Sequence, residues 1–283
     1  MAAVLALLSA LTYGAGDFLG GLCARRLPAV AVALRTNAIG LVGLLVVAPL
    51  VAATVEGRDI VLGAGAGIIG GVGILLLYRG LATGTMSIVA PITAVLAAVV
   101  PVVVGLLSGE RPSGLALAGI PIALVAVAAL AREPRTGDEP GVGTAEVVMA
   151  LGAGAAFGFF FVGLDATNDD AGLWPIVAGR TSSVVMFSIV AALVAAARVG
   201  DDRARRGTTP WLLVGCGLGD AGANAMFLLA TQRGLLTLVA VLAALYPAST
   251  VLLARIVLGE RLVGAQRVGI ALAGVAVVAV SAG

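Results

Sequence analysis

The side chains of this sequence that could carry chemistry are a few charged and polar residues inside long apolar stretches. Asp220 lies about ten residues into one stretch, or about 15 Å along a helix, and Asn224 follows at i+4 on the same helical face. An ionisable group in such surroundings is costly unless it faces a cavity or a partner. We interpret Asp220 and Asn224 as a site that exchanges protons or binds cations. The alternative is a structural acid that is hydrogen-bonded to a neighbouring helix.

Two pairs of opposite charges occupy related positions in the two halves of the chain. Asp17 and Arg35 lie at similar distances from a turn, so an antiparallel helical hairpin would place them at similar depths. Asp165 and Arg180 repeat this arrangement later in the chain. A breakable pair would suit a gate, whereas a permanent pair would only hold its hairpin together. For Arg180, a long side chain that extends to water is a further alternative.

The three tyrosines, Tyr13, Tyr78 and Tyr246, each lie in or at the end of an apolar stretch. Their hydroxyl groups and rings could line a substrate cavity and contact amino-acid or aromatic compounds. The alternative is anchoring at a membrane interface, which is common for tyrosine.

The tripeptide Gly-Glu-Arg occurs once in each half, with Glu110 and Arg111 in the first half and Glu260 and Arg261 in the second. Both glutamates stand beside arginines at predicted helix ends. We interpret them as structural residues that hold a loop to a neighbouring helix. Prolines interrupt the apolar stretch before each tripeptide, Pro91 and Pro101 in the first half and Pro247 in the second, and each predicts a bend.

The composition indicates the solvent in which these residues lie. Of the 283 residues, 60% are hydrophobic and 11% are charged, and the mean hydropathy is +1.14. A soluble protein of this composition would expose large apolar patches, whereas a bilayer accepts apolar side chains on every outward face. With no histidine, no lysine and two cysteines, the sequence offers neither a cysteine/histidine metal site nor a phosphate-binding loop. Its arginines are spread among loops, which gives no support for a nucleic-acid surface. We expect a membrane protein with no cofactor and no nucleic-acid partner.

Apolar segments long enough to span a bilayer follow one another along the chain. The alternating polarity of a β-barrel is absent from them. We predict an all-α integral membrane protein of about ten transmembrane helices, at residues 2–22, 29–53, 60–80, 84–107, 113–131, 145–165, 172–197, 210–231, 235–257 and 264–282.

The two halves of the chain resemble each other. The shared features come in the same order: Arg-Thr at 35–36 and 180–181, Arg-Gly-Leu at 79–81 and 233–235, and Gly-Glu-Arg at 109–111 and 259–261. We predict a first repeat over residues 1–131, a linker over 132–144 and a second repeat over 145–283. Because each repeat has five spans, an odd number, the second enters the membrane from the opposite side. Many secondary transporters have this inverted-repeat design.

The arginines lie mainly in the loops after odd-numbered spans. By the positive-inside rule these loops face the cytoplasm, which would place both termini outside. We expect a multi-pass protein of the cell inner membrane.

These features resemble the drug/metabolite transporter superfamily, specifically its ten-helix branch with two EamA-type repeats. The resemblance covers essentially the whole chain. It rests on the paired Gly-Glu-Arg signatures and on Tyr246-Pro247, of which the proline precedes Glu260 by thirteen residues. The first half departs from the pattern, with Ala97 where the repeat would place proline. The resemblance implies transport of amino acids, other metabolites or drugs without nucleotide hydrolysis. It also implies cytoplasmic termini, which contradicts the orientation that the arginines indicate.

The inverted repeat with a carboxylate deep in the membrane favours a secondary transporter and not an enzyme. We expect an exporter of small metabolites, amino acids or drugs that works by alternating access, with a small-molecule substrate, the lipid bilayer and, if coupled, protons as partners. One alternative is an intramembrane aspartyl protease, because residues 217–220 spell Gly-Leu-Gly-Asp. That chemistry needs two carboxylates, and the preceding span, 172–197, has none. The other alternative, a non-transporting receptor or scaffold, leaves the inverted repeat unexplained.

Overall fold

The computed structural model describes residues 1–24, 27–83, 86–132, 143–197, 210–259 and 261–282, with the backbone alone at 78, 81–83, 86–88 and 195–197. These residues form α-helices joined by short turns. In chain order the helices are α1 (Ala2–Ala24), α2 (Ala29–Val47), α3 (Gly57–Thr83), α4 (Met86–Leu107), α5 (Gly114–Leu130), α6 (Thr144–Asp165), α7 (Trp174–Ala197), α8 (Pro210–Thr231), α9 (Leu236–Ala243), α10 (Pro247–Val257) and α11 (Gly264–Ala282).

Within this described part, nine helical stretches are long and apolar enough to cross a membrane. One of them, Leu236–Val257, consists of α9 and α10 together. The apolar helix α5 is shorter, with 17 residues, and its length of about 26 Å lies at the lower limit for spanning a bilayer. The predicted all-α membrane fold with about ten spans is confirmed.

The prolines affect the two equivalent spans differently. The ninth span is broken as the sequence predicts, because α9 ends at Ala243 and Pro247 begins α10. The fourth span is not divided, since α4 continues through Pro91 and Pro101. A proline removes one helical hydrogen bond, and neighbouring helices can hold the rest of a membrane helix together around it.

The helices pack in the pattern of two inverted repeats of five spans. Helix α1 packs against α8, and its counterpart in the second repeat, α6, packs against α3. In the same way, α2 packs against α8, and its counterpart α7 packs against α3. Helices α2 and α7 pack against each other, and so do α5 and α11. Each helix of one repeat therefore finds its main partner in the other repeat, and the functional residues must be sought where the repeats meet.

Small residues allow the closest of these helix contacts. At Gly67 of α3, an added Cβ atom would overlap the carbonyl group of Gly179 on α7. Large apolar side chains such as Leu11, Val42 and Val278 are exposed on the outer faces of the helices. Membrane helices are expected to show this distribution, because lipid accepts apolar side chains and small residues let backbones approach.

The signature glycines end equivalent helices. Gly109 follows α4 with φ of 98°, and Gly259 follows α10 with φ of 70°. After α4, the amide of Gly109 donates to the carbonyl of Leu106, and the amide of Glu110 donates to the carbonyl of Gly105. These two bonds form a Schellman motif, whose left-handed residue is usually glycine. The turn directs the Glu110 side chain towards α9.

One face of the bundle is formed by the connections after even-numbered spans, and buried hydrogen bonds hold two of these connections together. Asp59 accepts from the backbone amide of Glu56 at 3.0 Å and from that of Asn168 at 2.9 Å. The amide of Thr54 donates to the carbonyl of Asp170 at 2.8 Å. The α2–α3 and α6–α7 connections are thereby joined at this face.

Candidate functional site

Helices α1 and α8, one from each repeat, run antiparallel and in close contact. The Ser9 hydroxyl donates to the carbonyl of Ala223 at 2.8 Å, and the Tyr13 hydroxyl donates to Oδ1 of Asn224 at 2.6 Å. A Cβ atom on Gly16 would lie 3.3 Å from the backbone nitrogen of Asp220. The small residue at position 16 thus lets the two backbones meet at the level of Asp220.

Asp220 forms an ion pair with Arg180 of α7. The Arg180 side chain is 8% exposed and that of Asp220 is 35% exposed. Arg180 also donates to Oδ1 of Asn37 on α2 at 2.9 Å, and Asn37 donates to the carbonyl of Ala33 in its own helix at 2.9 Å. An arginine buried among apolar helices is held in place by such a combination of a charged and a neutral acceptor.

Asn224 connects this ion pair to Tyr13. Its amide group donates to the carbonyl of Asp220 at 2.8 Å, while its Oδ1 atom accepts the Tyr13 hydroxyl. Side chains from α1, α2, α7 and α8 thus form one polar cluster between the repeats: Tyr13, Asn37, Arg180, Asp220 and Asn224.

Asp17 lies one helical turn beyond Tyr13, on the same face of α1. Because α1 and α8 are antiparallel and Tyr13 meets Asn224, Asp17 faces Asp220, which precedes Asn224 by one turn. The Asp17 side chain is exposed.

Aromatic rings form one wall beside the polar cluster. The ring centroid of Tyr13 lies 6.2 Å from that of Tyr246 and 6.2 Å from that of Phe161. Phe161 in turn packs against the fully buried Phe227, with centroids 4.4 Å apart. The Tyr13 hydroxyl belongs to the polar cluster, while its ring belongs to this wall.

The two hairpin ion pairs predicted from the sequence are wrong. Arg180 pairs with Asp220 instead of Asp165, and Asp165 lies beside the Thr231 hydroxyl. Arg35 is exposed on α2, and no ion pair joins it to Asp17 although both side chains are described. The physical reason is that consecutive helices pack weakly here, so a charge meets its partner on a helix of the other repeat.

The signature residues lie away from the polar cluster. The Glu110 carboxylate accepts from the backbone amides of Leu236 at 2.7 Å and Thr237 at 2.9 Å and from the Thr237 hydroxyl, so it caps the first turn of α9. Arg111 is exposed and donates to the carbonyl of Glu110 at 3.1 Å. Arg261 is exposed and Pro247 is buried at the start of α10. Glu260 and the side chain of Tyr78 lie outside the described residues.

Two participants were missed in the sequence. Asn37 carries a signal, because it is an amide inside an apolar span, two residues after the Arg35 that drew attention instead. Phe161 carries none, since one phenylalanine in an apolar helix looks like any other. In the described part of the chain, no group of three or more cysteine, aspartate or glutamate side chains is arranged to hold a metal ion.

The direct partner of the Asp220 carboxylate is an arginine. A shared-proton pair needs two carboxylates that exchange one proton directly. Here an oxygen of Asp220 contacts the Arg180 guanidinium group instead. Asp17 faces this pair from α1.

Comparisons with known proteins agree with this architecture. The model of the EamA-like transporter family matches residues 1–132 and 144–282. No curated protein sequence matches the chain. A protein of known crystal structure is similar to it in fold, with a TM-score of 0.75 at 18% sequence identity, over 98% of this chain and 95% of that chain.

Proposed function

Since this chain belongs to the EamA-like transporter family, and is therefore a multi-pass membrane transporter, we propose that it is a secondary transporter working by alternating access. The substrate is a small metabolite, amino acid or drug-like compound that binds beside the polar cluster, and transport is export across the cell inner membrane. Protons are the proposed coupling ion. The resemblance read from the sequence, to the ten-helix drug/metabolite transporters, is confirmed by the family match.

The observation that carries this proposal is the Arg180–Asp220 ion pair between the repeats, held by Asn37. Buried charges in a membrane are expensive, and removing one partner of such a pair costs about 3–5 kcal/mol. A purely structural contact between these helices is achieved more cheaply by small residues and neutral hydrogen bonds. An ion pair whose acid is 35% exposed fits a site that handles a polar substrate.

The hydrogen bonds at one face support the alternating-access part of the proposal. Asp59 joins two connections at the face of the even-numbered connections, and Glu110 caps α9 at the same face. Asp17 lies seven residues before the end of α1, about 10 Å of helix from the opposite face. A substrate bound beside Asp17 would therefore be reached more directly from that opposite face. Transport would require the Asp59 and Glu110 contacts to break while access from the opposite face closes.

The test is flux into proteoliposomes, measured across a panel of amino acids, other metabolites and organic cations, with and without an imposed proton gradient. The purified full-length protein is compared with Arg180→Gln and with the double variant Arg180→Gln/Asp220→Asn. The double variant removes both charges together, which avoids leaving one unpaired charge buried. Arg58→Gln, at an exposed position at the start of α3, is the matched control.

We expect the wild type and Arg58→Gln to transport the same compounds at the same rate. The double variant should elute as a folded protein in size-exclusion chromatography and show no flux above that of protein-free liposomes. Wild-type flux in the folded double variant would refute a role of the ion pair in transport. A wild type that moves no compound of the panel in either direction would refute the assignment of small metabolites as substrates.

A further inference from the structure

The two cysteines of the chain lie on the paired helices α1 and α8, one in each repeat. Cys23 is the second-last residue of α1, and Cys216 lies six residues after the start of α8. Both side chains are buried, and neither is in a disulfide bond. Because α1 ends where α8 begins, both cysteines lie toward the face opposite to the Asp59 and Glu110 contacts.

The register of α1 and α8 places the two thiols on neighbouring turns. A Cβ atom on Gly20 would lie 3.1 Å from Sγ of Cys216, so these two residues face each other. Three residues further along α1, Cys23 packs in one apolar cluster with Leu213, which precedes Cys216 by three residues. The offset between the two cysteines is therefore about 4.5 Å along the helices.

The directions of the side chains reduce this offset. The Cα–Cβ bond of a helical residue tilts toward the N-terminus of its helix. In the antiparallel pair of α1 and α8, this tilt carries Cys23 back toward the level of Gly20 and Cys216 back toward the level of Leu213. Each of these levels is that of the other cysteine, so the two thiols lean toward each other across the interface between the repeats.

We propose that Cys23 and Cys216 form a two-coordinate binding site for a soft divalent cation such as Hg²⁺. Thiolates select soft cations, whereas the nearby carboxylate of Asp220, four residues after Cys216, is a hard ligand. A zinc site needs four ligands, which is why the sequence alone indicates no metal. A cation that takes two ligands in line needs only these two sulfurs.

The length of such a bridge suits cysteines on neighbouring turns. Metal–thiolate bonds are about 2.3 Å long, so a linear bridge holds its two sulfurs about 4–5 Å apart. The sulfurs of a disulfide are only about 2 Å apart, and its Cα and Cβ distances are narrowly limited. The offset between Cys23 and Cys216 is therefore easier to span with a bound cation than with a disulfide.

The surroundings of the thiols favour a neutral complex. Cys23 lies in an apolar cluster with Leu27, Val32 and Leu213, where a net charge would be costly. A divalent cation bound by two thiolates carries no net charge. In the binding step two S–H bonds break, both protons go to water, and two metal–sulfur bonds form, so nothing is oxidised or reduced. The bound cation would join the two repeats, and the proposal does not depend on the proposed function.

The test is the retention of mercury by the purified full-length protein after reduction and removal of the reductant. An equimolar amount of HgCl2 is added, then an excess of glutathione as a competing thiol, and the mercury that elutes with the protein is measured by mass spectrometry. The wild type is compared with Cys23→Ser and Cys216→Ser, which keep one thiol each. The matched control is Cys216→Ser/Leu218→Cys, which keeps two thiols but moves one to an exposed position beside Gly43 of α2.

Two thiols that are already positioned bind one cation without the entropy cost of bringing separate molecules together. We therefore expect the wild type to retain about one mercury ion per chain and each of the three variants to retain at most about a fifth of that. Wild-type retention no greater than that of the single-cysteine variants would overturn the proposal. Equal retention in Cys216→Ser/Leu218→Cys would do the same, because the number of thiols and not their juxtaposition would then decide binding.

A second measurement uses the wild type alone, so it does not depend on whether a variant folds. An equimolar amount of HgCl2 should block both cysteines from reaction with a thiol reagent, because one bridging ion occupies two sulfurs. Blocking of only one thiol, or of none, would contradict the site. A protein that binds mercury in this way but transports no compound would contradict the proposed function alone.

Discussion

The contact between Glu110 and α9 allows a quantitative test of how the repeats are joined. Glu110 lies in the turn that follows α4 of the first repeat. Its carboxylate caps α9 of the second repeat by accepting hydrogen bonds from two backbone amides and a hydroxyl group. Replacing it with alanine leaves the first turn of α9 without a cap. Loss of an N-cap costs about 1–2 kcal/mol, and loss of a negative charge at a helix N-terminus adds about 0.3–1 kcal/mol. We therefore expect Glu110→Ala to lower the free energy of unfolding by about 1–3 kcal/mol.

A second substitution at the same position separates the charge from the hydrogen bonds. In Glu110→Gln the amide oxygen can still accept from the Leu236 or the Thr237 amide, but the NH2 group replaces the other acceptor. We expect a loss of about half that of Glu110→Ala, on the order of 1 kcal/mol.

Unfolding by sodium dodecyl sulfate in mixed micelles, followed by circular dichroism, measures these differences. Glu56→Ala, at an exposed position before α3 at the same face of the bundle, is the control; it removes only a charge near a helix N-terminus and should change the free energy by at most about 1 kcal/mol. Equal stability of Glu110→Ala and the wild type would refute the capping argument. So would an equally large loss in Glu56→Ala, because the effect would then not depend on the contact with α9.

Three further predictions follow from individual contacts. Tyr13→Phe removes the hydrogen bond to Asn224 and should lower the free energy of unfolding by about 1 kcal/mol and reduce substrate flux in proteoliposomes; unchanged values of both would contradict the role of this bond. Asp59→Ala leaves two backbone amides without their acceptor and should lower the free energy of unfolding in detergent by about 2–3 kcal/mol. A decrease of less than about 1 kcal/mol would contradict the described joining of the two connections. Gly67→Leu should give aggregated protein in size-exclusion chromatography, because a side chain there would overlap α7, whereas Gly65→Leu, with nothing within 4 Å of its Cβ position, should elute like the wild type.

The positions of the spans could be predicted from the sequence because the bilayer imposes them. A helix needs about 20 apolar residues to cross, and the short interruptions between such segments mark the turns. The signature glycines were also informative, since Gly109 and Gly259 both adopt positive φ at equivalent helix ends. A glycine repeated at equivalent turns indicates that the backbone needs a positive φ there. Because this requirement is local, the sequence can reveal it without knowledge of the packing.

The continuity of α4 shows a limit of local reasoning. Pro91 and Pro101 are as strong a sign of interruption as Pro247, yet only the ninth span is divided. Whether a helix breaks at proline depends on what replaces the lost hydrogen bond, and in a membrane protein this is decided by the neighbouring helices.

The choice of charge partners depends on the inverted repeat itself. Sequence reasoning paired Asp17 with Arg35 and Asp165 with Arg180 because neighbours in a hairpin are the nearest candidates along the chain. In an inverted repeat, however, α1 lies on α8 and α6 lies on α3, so residues that meet are separated by most of the chain, as Tyr13 and Asn224 are. Because its side chains come from both repeats, the polar cluster is sensitive to the relative position of the repeats. Arg180 belongs to α7 and Asn37 to α2, and a rocking of one repeat against the other must lengthen or turn that bond.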